Sequence, residues 1–171
     1  DGGLCTYLPI VKIDTDGVVI PGRPIKDDGN NRIYTCAADG ETTIAAQMDI
    51  IGNDSKEYHH ANGTADVSSS IRIRMRGNSS RAFDKPSYAI RLVDKEGENN
   101  PLSIMGMDAH HEWVLYGPWL DKTAIRNYMF YNLAGEMMSY APNVRFCEVI
   151  LNGEYEGLYV ICLLYTSDAA D

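Results

Sequence analysis

The stretch from Ser70 to Leu92 constrains the fold more than any other part of this chain. In its first part, isoleucine and methionine alternate with three arginines, and the alternation resumes from Tyr88 onwards. A period of two places successive side chains on opposite faces of a strand, so both parts are predicted to be half-buried strands. The polar residues between them, which begin at Gly77, are typical of a loop. The stretch therefore predicts a strand, a loop and a second strand.

The loop between the two strands carries the groups that an anion binds. Glycine lets a backbone approach a ligand closely, and free N–H groups, hydroxyls and cations are what a phosphate requires. The candidate phosphate-binding residues are Arg76, Gly77, Ser79, Ser80, Arg81 and Lys85. The alternative is a solvated hairpin that carries basic residues without a ligand. Neither a P-loop motif nor a Gly-x-Gly-x-x-Gly motif is present to decide between them.

The best helix pattern runs from Leu120 to Ser139, and Asp121 is its candidate N-cap. Apolar residues recur every four positions and form one stripe along the predicted helix. The members of this stripe are Ile125, Met129, Leu133 and Met137.

The clearest hairpin signal is Asn152-Gly153 between two apolar runs, because both residues tolerate the positive φ of a type I′ turn. With the strands and the helix, this predicts an α+β fold in which one main helix packs on an antiparallel sheet. A β-rich segment at 1–66 comes first, with strands predicted at 4–14, 33–36 and 42–51. This segment is either a separate module or an N-terminal extension of the same sheet.

Charge and composition exclude several classes of partner. The net charge of −9 and the lack of a long basic run argue against nucleic acid and anionic membrane surfaces as partners. No apolar run approaches the about 20 residues that a membrane-spanning helix needs.

The pairs His59-His60 and His110-His111 are not favoured as metal ligands, because adjacent strand residues point to opposite faces. Cys5 and Cys36 are predicted either to form a disulfide or to be buried free thiols.

A set of motifs in one order is similar to the CotH kinase family, the spore-coat-protein-H-like atypical kinases. The motifs cover roughly residues 70 to 161. They comprise Arg76–Arg81, Lys85 with Ser87–Leu92, Trp113–Pro118, Asp121–Asn127, Tyr140–Pro142 and Val149–Tyr159. One departure is Lys85-Pro86, where the family usually carries two lysines.

The resemblance implies a kinase-like small lobe at 67–161 that uses ATP and Mg²⁺ to phosphorylate Ser or Thr of a protein substrate. It also implies an extracellular, cell-surface or spore-coat location, with coat or surface proteins as partners. The family's metal-binding acids belong to a second lobe beyond residue 161, so this chain alone is expected to be inactive and no catalytic residue is assigned. The alternative function is a non-catalytic adhesin or structural coat protein.

The sequence also gives an expectation for each end of the chain. The start, without Met or a signal peptide, is expected to be processed or truncated. Residues 162–171 resemble a translated sequencing adapter, and residues 163–171 are therefore predicted to pack poorly against the rest.

Overall fold

The computed structural model describes residues 3–27, 32–53, 57–76, 86–117 and 144–164, and in these ranges the chain forms strands and no helix. The strands are β1 (Cys5–Thr6), β2 (Ile10–Asp14), β3 (Pro24–Asp27), β4 (Arg32–Tyr34), β5 (Ile44–Ile51), β6 (His59–His60), β7 (Val67–Arg76), β8 (Ser87–Val93), β9 (Glu112–Tyr116), β10 (Val144–Leu151) and β11 (Glu154–Leu163). A search of these described ranges finds no helix long and apolar enough to cross a membrane.

Seven of the strands close into a barrel in the order β10-β11-β9-β8-β7-β5-β2. Neighbouring strands are antiparallel, except where β2 pairs in parallel with β10 and closes the barrel. Two small sheets, β1 with β6 and β3 with β4, complete the described strands. Closure leaves the barrel without an exposed sheet edge.

The α+β prediction, an antiparallel sheet with one main helix packed on it as in a kinase-like small lobe, is wrong. The described residues are all-β, and their main sheet closes on itself. The pairing of β2 with β10 joins distant parts of the chain, and the periodicity of one segment carries no information about such a pairing. The predicted helix from Leu120 to Ser139 lies outside the described residues.

Two strands of the N-terminal segment are part of this same barrel. β2 and β5 pair with each other, and β5 pairs with β7 along most of its length. The segment therefore extends the sheet, which is one of the two arrangements left open by the sequence. A domain boundary at residue 67 stays a prediction.

The barrel interior is filled by the apolar positions of the alternating strands, as the sequence predicts. In β7, Ile71 and Ile73 are fully buried while Arg72 and Arg74 lie on the outer face and are half-buried. The interior also contains Leu92, Trp113, Leu115, Cys147, Val149, Tyr159 and Ile161, all fully buried. Each such residue removes its apolar surface from water, which stabilises the fold by about 1.5–3 kcal/mol per large side chain.

The predicted hairpin at Asn152-Gly153 is confirmed. The two residues have φ of 50° and 79°, and Leu151 pairs with Glu154 across the turn. The Asn152 side chain also reaches Thr15, where its Oδ1 accepts from the backbone N–H at 2.8 Å and its Nδ2 donates to Oγ1 at 2.9 Å. This contact holds the end of β2 against the turn, beside the parallel pair that closes the barrel.

The C-terminal strand β11 ends at Leu163, within the supposed tail. Leu163 pairs with Trp113 and is buried in the main core, so the expectation of poor packing is wrong for this residue. The N–H of Leu164 donates to the carbonyl of Glu112 at 3.2 Å. The remaining residues of the predicted tail, 165–171, lie outside the described residues.

Candidate functional site

The predicted phosphate-binding loop leaves the barrel at one end, here called the loop end, where β7 stops at Arg76 and β8 starts at Ser87. Arg76 and Ser87 are paired residues on the adjacent strands β7 and β8. Because β9 runs antiparallel to β8, β9 also ends at the loop end. Of the six candidate phosphate-binding residues, here called the cradle, the structure describes Arg76. Gly77, Ser79, Ser80, Arg81 and Lys85 lie outside the described residues.

Arg76 is half-buried on the outer face of β7, where the alternation predicts it. Its positive charge also acts on Cys162 of β11. Burial raises the pKa of the Cys162 thiol, and the positive charge of Arg76 partly opposes that rise. Arg76 therefore presents its charge to the outside of the barrel, next to the start of the loop.

Two buried tyrosines fill the inside of the loop end. The rings of Tyr88 and Tyr159 stack with centroids 6.3 Å apart and planes 18° apart. The Tyr159 hydroxyl donates to the carbonyl of Pro86 at 3.1 Å, which ties the interior to the residue that ends the loop. Sequence reasoning placed both residues in strands but gave neither a role at the site.

Both phenols stay protonated at neutral pH. Burial raises the pKa of Tyr88 to about 12, with a contribution from nearby Glu156 that the positive charge of Arg23 opposes. Burial likewise raises the pKa of Tyr159 far above its usual value, and the proximity of Tyr88 and Glu156 adds to the rise. A protonated phenol can donate a hydrogen bond, so Tyr159 holds the loop's end as a neutral donor.

Gly117, directly after β9, fits against the ring of Tyr159. A Cβ at this position would overlap the ring edge, with its nearest contact at Cε1. Its N–H also approaches the buried Ser87 hydroxyl, with nitrogen and Oγ 3.4 Å apart. The start of β8 and the end of β9 are thereby held together.

A segment from the first third of the chain also reaches the loop end. The carbonyl of Pro21 accepts from the backbone N–H of Met75 at 2.8 Å, directly before Arg76. Gly22 has φ of 105°, and a Cβ there would lie 3.0 Å from the Met75 carbonyl oxygen. The sequence predicted only an irregular loop over these residues and gave no signal of the contact.

The histidine pairs make ordinary structural contacts. His59 is buried with its Nδ1 3.1 Å from the Leu8 carbonyl, whereas His60 is exposed, so the two point to opposite faces as predicted. His110 stacks on His111 with centroids 4.5 Å apart. A search of the described ranges finds no group of three or more His, Cys, Asp or Glu side chains that could hold a metal ion.

The cysteines match neither of the two alternatives drawn from the sequence. Cys5 and Cys36 are free thiols and both are exposed. The Sγ of Cys5 lies 4.0 Å from Nε2 of His60 on the paired strand. A disulfide between Cys5 and Cys36 is therefore absent in this structure.

Comparison with known families decides what kind of chain this is. A family model described as CotH kinase protein matches residues 73–162. The chain belongs to this family. The CotH match begins in β7 and ends in β11, so it includes the end of β7 and all of β8, which flank the predicted phosphate loop. None of the curated proteins matches the chain.

Proposed function

We propose that this CotH chain forms the phosphate-binding part of an atypical protein kinase that transfers the γ-phosphoryl of ATP to Ser or Thr of a protein. The observation that carries the proposal is the family match over residues 73–162, within which the basic loop joins β7 to β8. We propose an extracellular, cell-surface or spore-coat location, with coat or surface proteins as substrates.

In this proposal the cradle consists of Arg76, Gly77, Ser79, Ser80, Arg81 and Lys85. Phosphoryl transfer depends mainly on positioning and on stabilising negative charge, so cations and N–H donors around the phosphates are the central requirement. The interior tyrosines and Gly117 support this role, because they fix the strand ends from which the loop departs. Strand ends that are already fixed have little conformational freedom left to lose when a ligand binds next to them.

Most of the ligands that would hold Mg²⁺ must come from another part of the protein. Mg²⁺ prefers oxygen ligands in octahedral geometry and is usually held by carboxylates together with the substrate phosphates. The described part of this chain offers no cluster of carboxylates that fits the ion. We propose that acids of a second lobe hold Mg²⁺, which when bound would neutralise the phosphate charge. The residues of this chain would then bind and orient the phosphates.

Calorimetric titration of ATP with Mg²⁺ into the full-length protein tests the proposal. The variant Arg76→Ala/Lys85→Ala removes two cradle charges and should abolish measurable binding or weaken it at least about tenfold, since charged hydrogen bonds contribute about 1.5–3 kcal/mol each. This chain alone should bind ATP negligibly, because it supplies one side of the site and exposed cationic contacts are weak.

The matched control is Arg91→Ala/Lys95→Ala, which removes the same two residue types at the other end of β8 and its following turn. Arg91 donates to Asn99 at the surface, so its loss leaves the barrel interior intact. Binding in this control should stay within twofold of the wild type. If the cradle variant binds as the wild type does, the loop is a solvated hairpin. A non-catalytic adhesion or coat role then becomes the better account.

A further inference from the structure

The small sheet of β1 and β6 brings a free thiol next to an imidazole. The two strands pair so that Cys5 lies opposite His60 and Thr6 lies opposite His59. The Sγ of Cys5 is 4.0 Å from Nε2 of His60, which is within reach of a hydrogen bond that involves sulfur. Both residues are exposed, so a small molecule in solution can reach the thiol.

The pair is anchored to the barrel at one end of this sheet. Leu4 and Ala61, the chain neighbours of Cys5 and His60, pack into a small apolar cluster with three isoleucines of β2, β5 and β10. The N–H of Ala61 donates to the carbonyl of Leu4 at 3.2 Å, and the carbonyl of Ala61 accepts from Nζ of Lys12 at 2.9 Å. The fold therefore holds the thiol and the imidazole side by side, which lowers the entropic cost of a reaction between them.

The other end of the sheet is also held. The rings of Tyr7 and Tyr58, which come directly after β1 and directly before β6, lie in contact with centroids 3.9 Å apart. Nδ1 of the buried His59 lies 3.1 Å from the carbonyl of Leu8. The pair of Cys5 and His60 thus lies between two sets of contacts that join its strands.

The four cysteines all lie in the described ranges, and they differ in access and in neighbours. Cys147 is fully buried, and Cys162 is half-buried with a thiol pKa that burial raises. Cys36 is exposed like Cys5, but within the described part of the chain no histidine lies in hydrogen-bond reach of it. Cys36 is therefore a matched reference, in the same protein, for an exposed thiol without a base.

A neighbouring base matters because a thiol reacts as its thiolate. The Nε2 of His60 can accept the proton of Cys5 in the imidazole tautomer that leaves this nitrogen unprotonated. Removal of that proton in the course of attack is how an adjacent base activates a cysteine. A disulfide is a suitable reactant for such a thiol, because thiol–disulfide exchange needs no other oxidant.

We propose that Cys5 is a modification site that exchanges with low-molecular-weight disulfides, and that His60 is the base that removes its proton. The Sγ of Cys5 attacks one sulfur of R–S–S–R while its proton passes to Nε2 of His60. A new S–S bond forms as the old one breaks, and the leaving R–S⁻ takes the proton from the imidazolium. Cys5 is oxidised to a mixed disulfide, and the other half of the reactant is reduced to R–SH. This chemistry is separate from the proposed phosphate binding.

The test is reaction of the full-length protein with glutathione disulfide at neutral pH, followed by mass spectrometry of the cysteine peptides. Iodoacetamide blocks the remaining thiols at each time point, so the fraction of each cysteine in a mixed disulfide is measured in one sample. We expect Cys5 to react at least about tenfold faster than Cys36, somewhat less than the about 10²–10⁴-fold of a base in an active site, because both groups are exposed. A smaller ratio would overturn the proposal.

His60→Ala tests whether the imidazole acts as the base. The variant should slow Cys5 to about the rate of Cys36, and should leave the rate of Cys36 unchanged. Imidazole added to the buffer should then accelerate Cys5 more than Cys36 in this variant, since it replaces the missing base. A wild-type rate at Cys5 in His60→Ala, or a slow rate that imidazole does not restore, would overturn the role of His60 in proton transfer.

Discussion

Replacing Gly117 by alanine should destabilise the barrel through the ring of Tyr159. The added Cβ would overlap the ring edge of a fully buried side chain. The ring cannot move freely, because it stacks on Tyr88 and its hydroxyl donates to Pro86. The φ of Gly117 lies outside the left-handed region, so the cost comes from crowding and not from backbone strain.

The magnitude follows from three contributions. Overpacking of a core costs about 1–3 kcal/mol. If the ring is displaced, loss of its hydrogen bond leaves the Pro86 carbonyl unpaired at a cost of about 1–3 kcal/mol. Alanine restricts the unfolded chain and so returns about 0.4–1 kcal/mol. We expect Gly117→Ala to lower the free energy of unfolding by about 1–5 kcal/mol.

Equilibrium unfolding in urea, followed by circular dichroism, measures this loss. Gly3→Ala is the matched control, since a Cβ at Gly3 meets nothing within 4 Å, and it should stay within about 0.5 kcal/mol of the wild type. Tyr159→Leu removes the ring, so its combination with Gly117→Ala should cost at least about 1 kcal/mol less than the sum of the two. Wild-type stability of Gly117→Ala, or strict additivity in the pair, would refute the reasoning.

Three further predictions concern the turn and the tyrosines. Asn152→Ala loses the side-chain hydrogen bonds to Thr15 and places alanine at φ of 50°, so it should lower the free energy of unfolding in urea by about 1–3 kcal/mol. Asn152→Gly should cost less. Burial, a hydrogen bond to Glu148 and the charge of Glu148 raise the pKa of Tyr155 to about 12, so Glu148→Gln should lower that pKa in an ultraviolet titration. Because the folded-state pKa of Tyr88 is raised from 10 to about 12, its contribution to stability is complete below pH 10 and is lost as the pH rises towards 12. The urea midpoint should fall over that range, and the fall should be smaller in Tyr88→Phe.

Local features of the fold could be predicted from the sequence because they depend on neighbouring residues. The alternation in β7 and β8 and the turn at Asn152-Gly153 are set by periodicity and by backbone conformation over a few residues. The closure of the barrel depends instead on the parallel pairing of β2 with β10. It is accompanied by a hydrogen bond between Thr15 and Asn152, two residues that are 137 positions apart in the sequence. No local pattern indicates such a pairing, and the α+β prediction failed at that point.

The candidate site likewise combines features that the sequence predicted with features that it did not. The basic residues between β7 and β8 were visible in the sequence, and Arg76 lies at the strand end where it was predicted. The tyrosines at the loop end could be recognised only partly, since an inward-facing tyrosine next to a loop looks like any core aromatic residue. The contact of Pro21 and Gly22 with the loop end carried no signal, because it depends on a long-range hydrogen bond between Pro21 and Met75.

The most direct test of the central claim is transfer of labelled phosphate. The full-length protein is incubated with Mg²⁺ and ATP labelled at the γ-phosphoryl group, together with a Ser/Thr-rich acceptor protein. The account predicts label on Ser or Thr of the acceptor or of the protein itself, and background label with Arg76→Ala/Lys85→Ala. Equal labelling by the folded double variant, or none by the wild type, would contradict it.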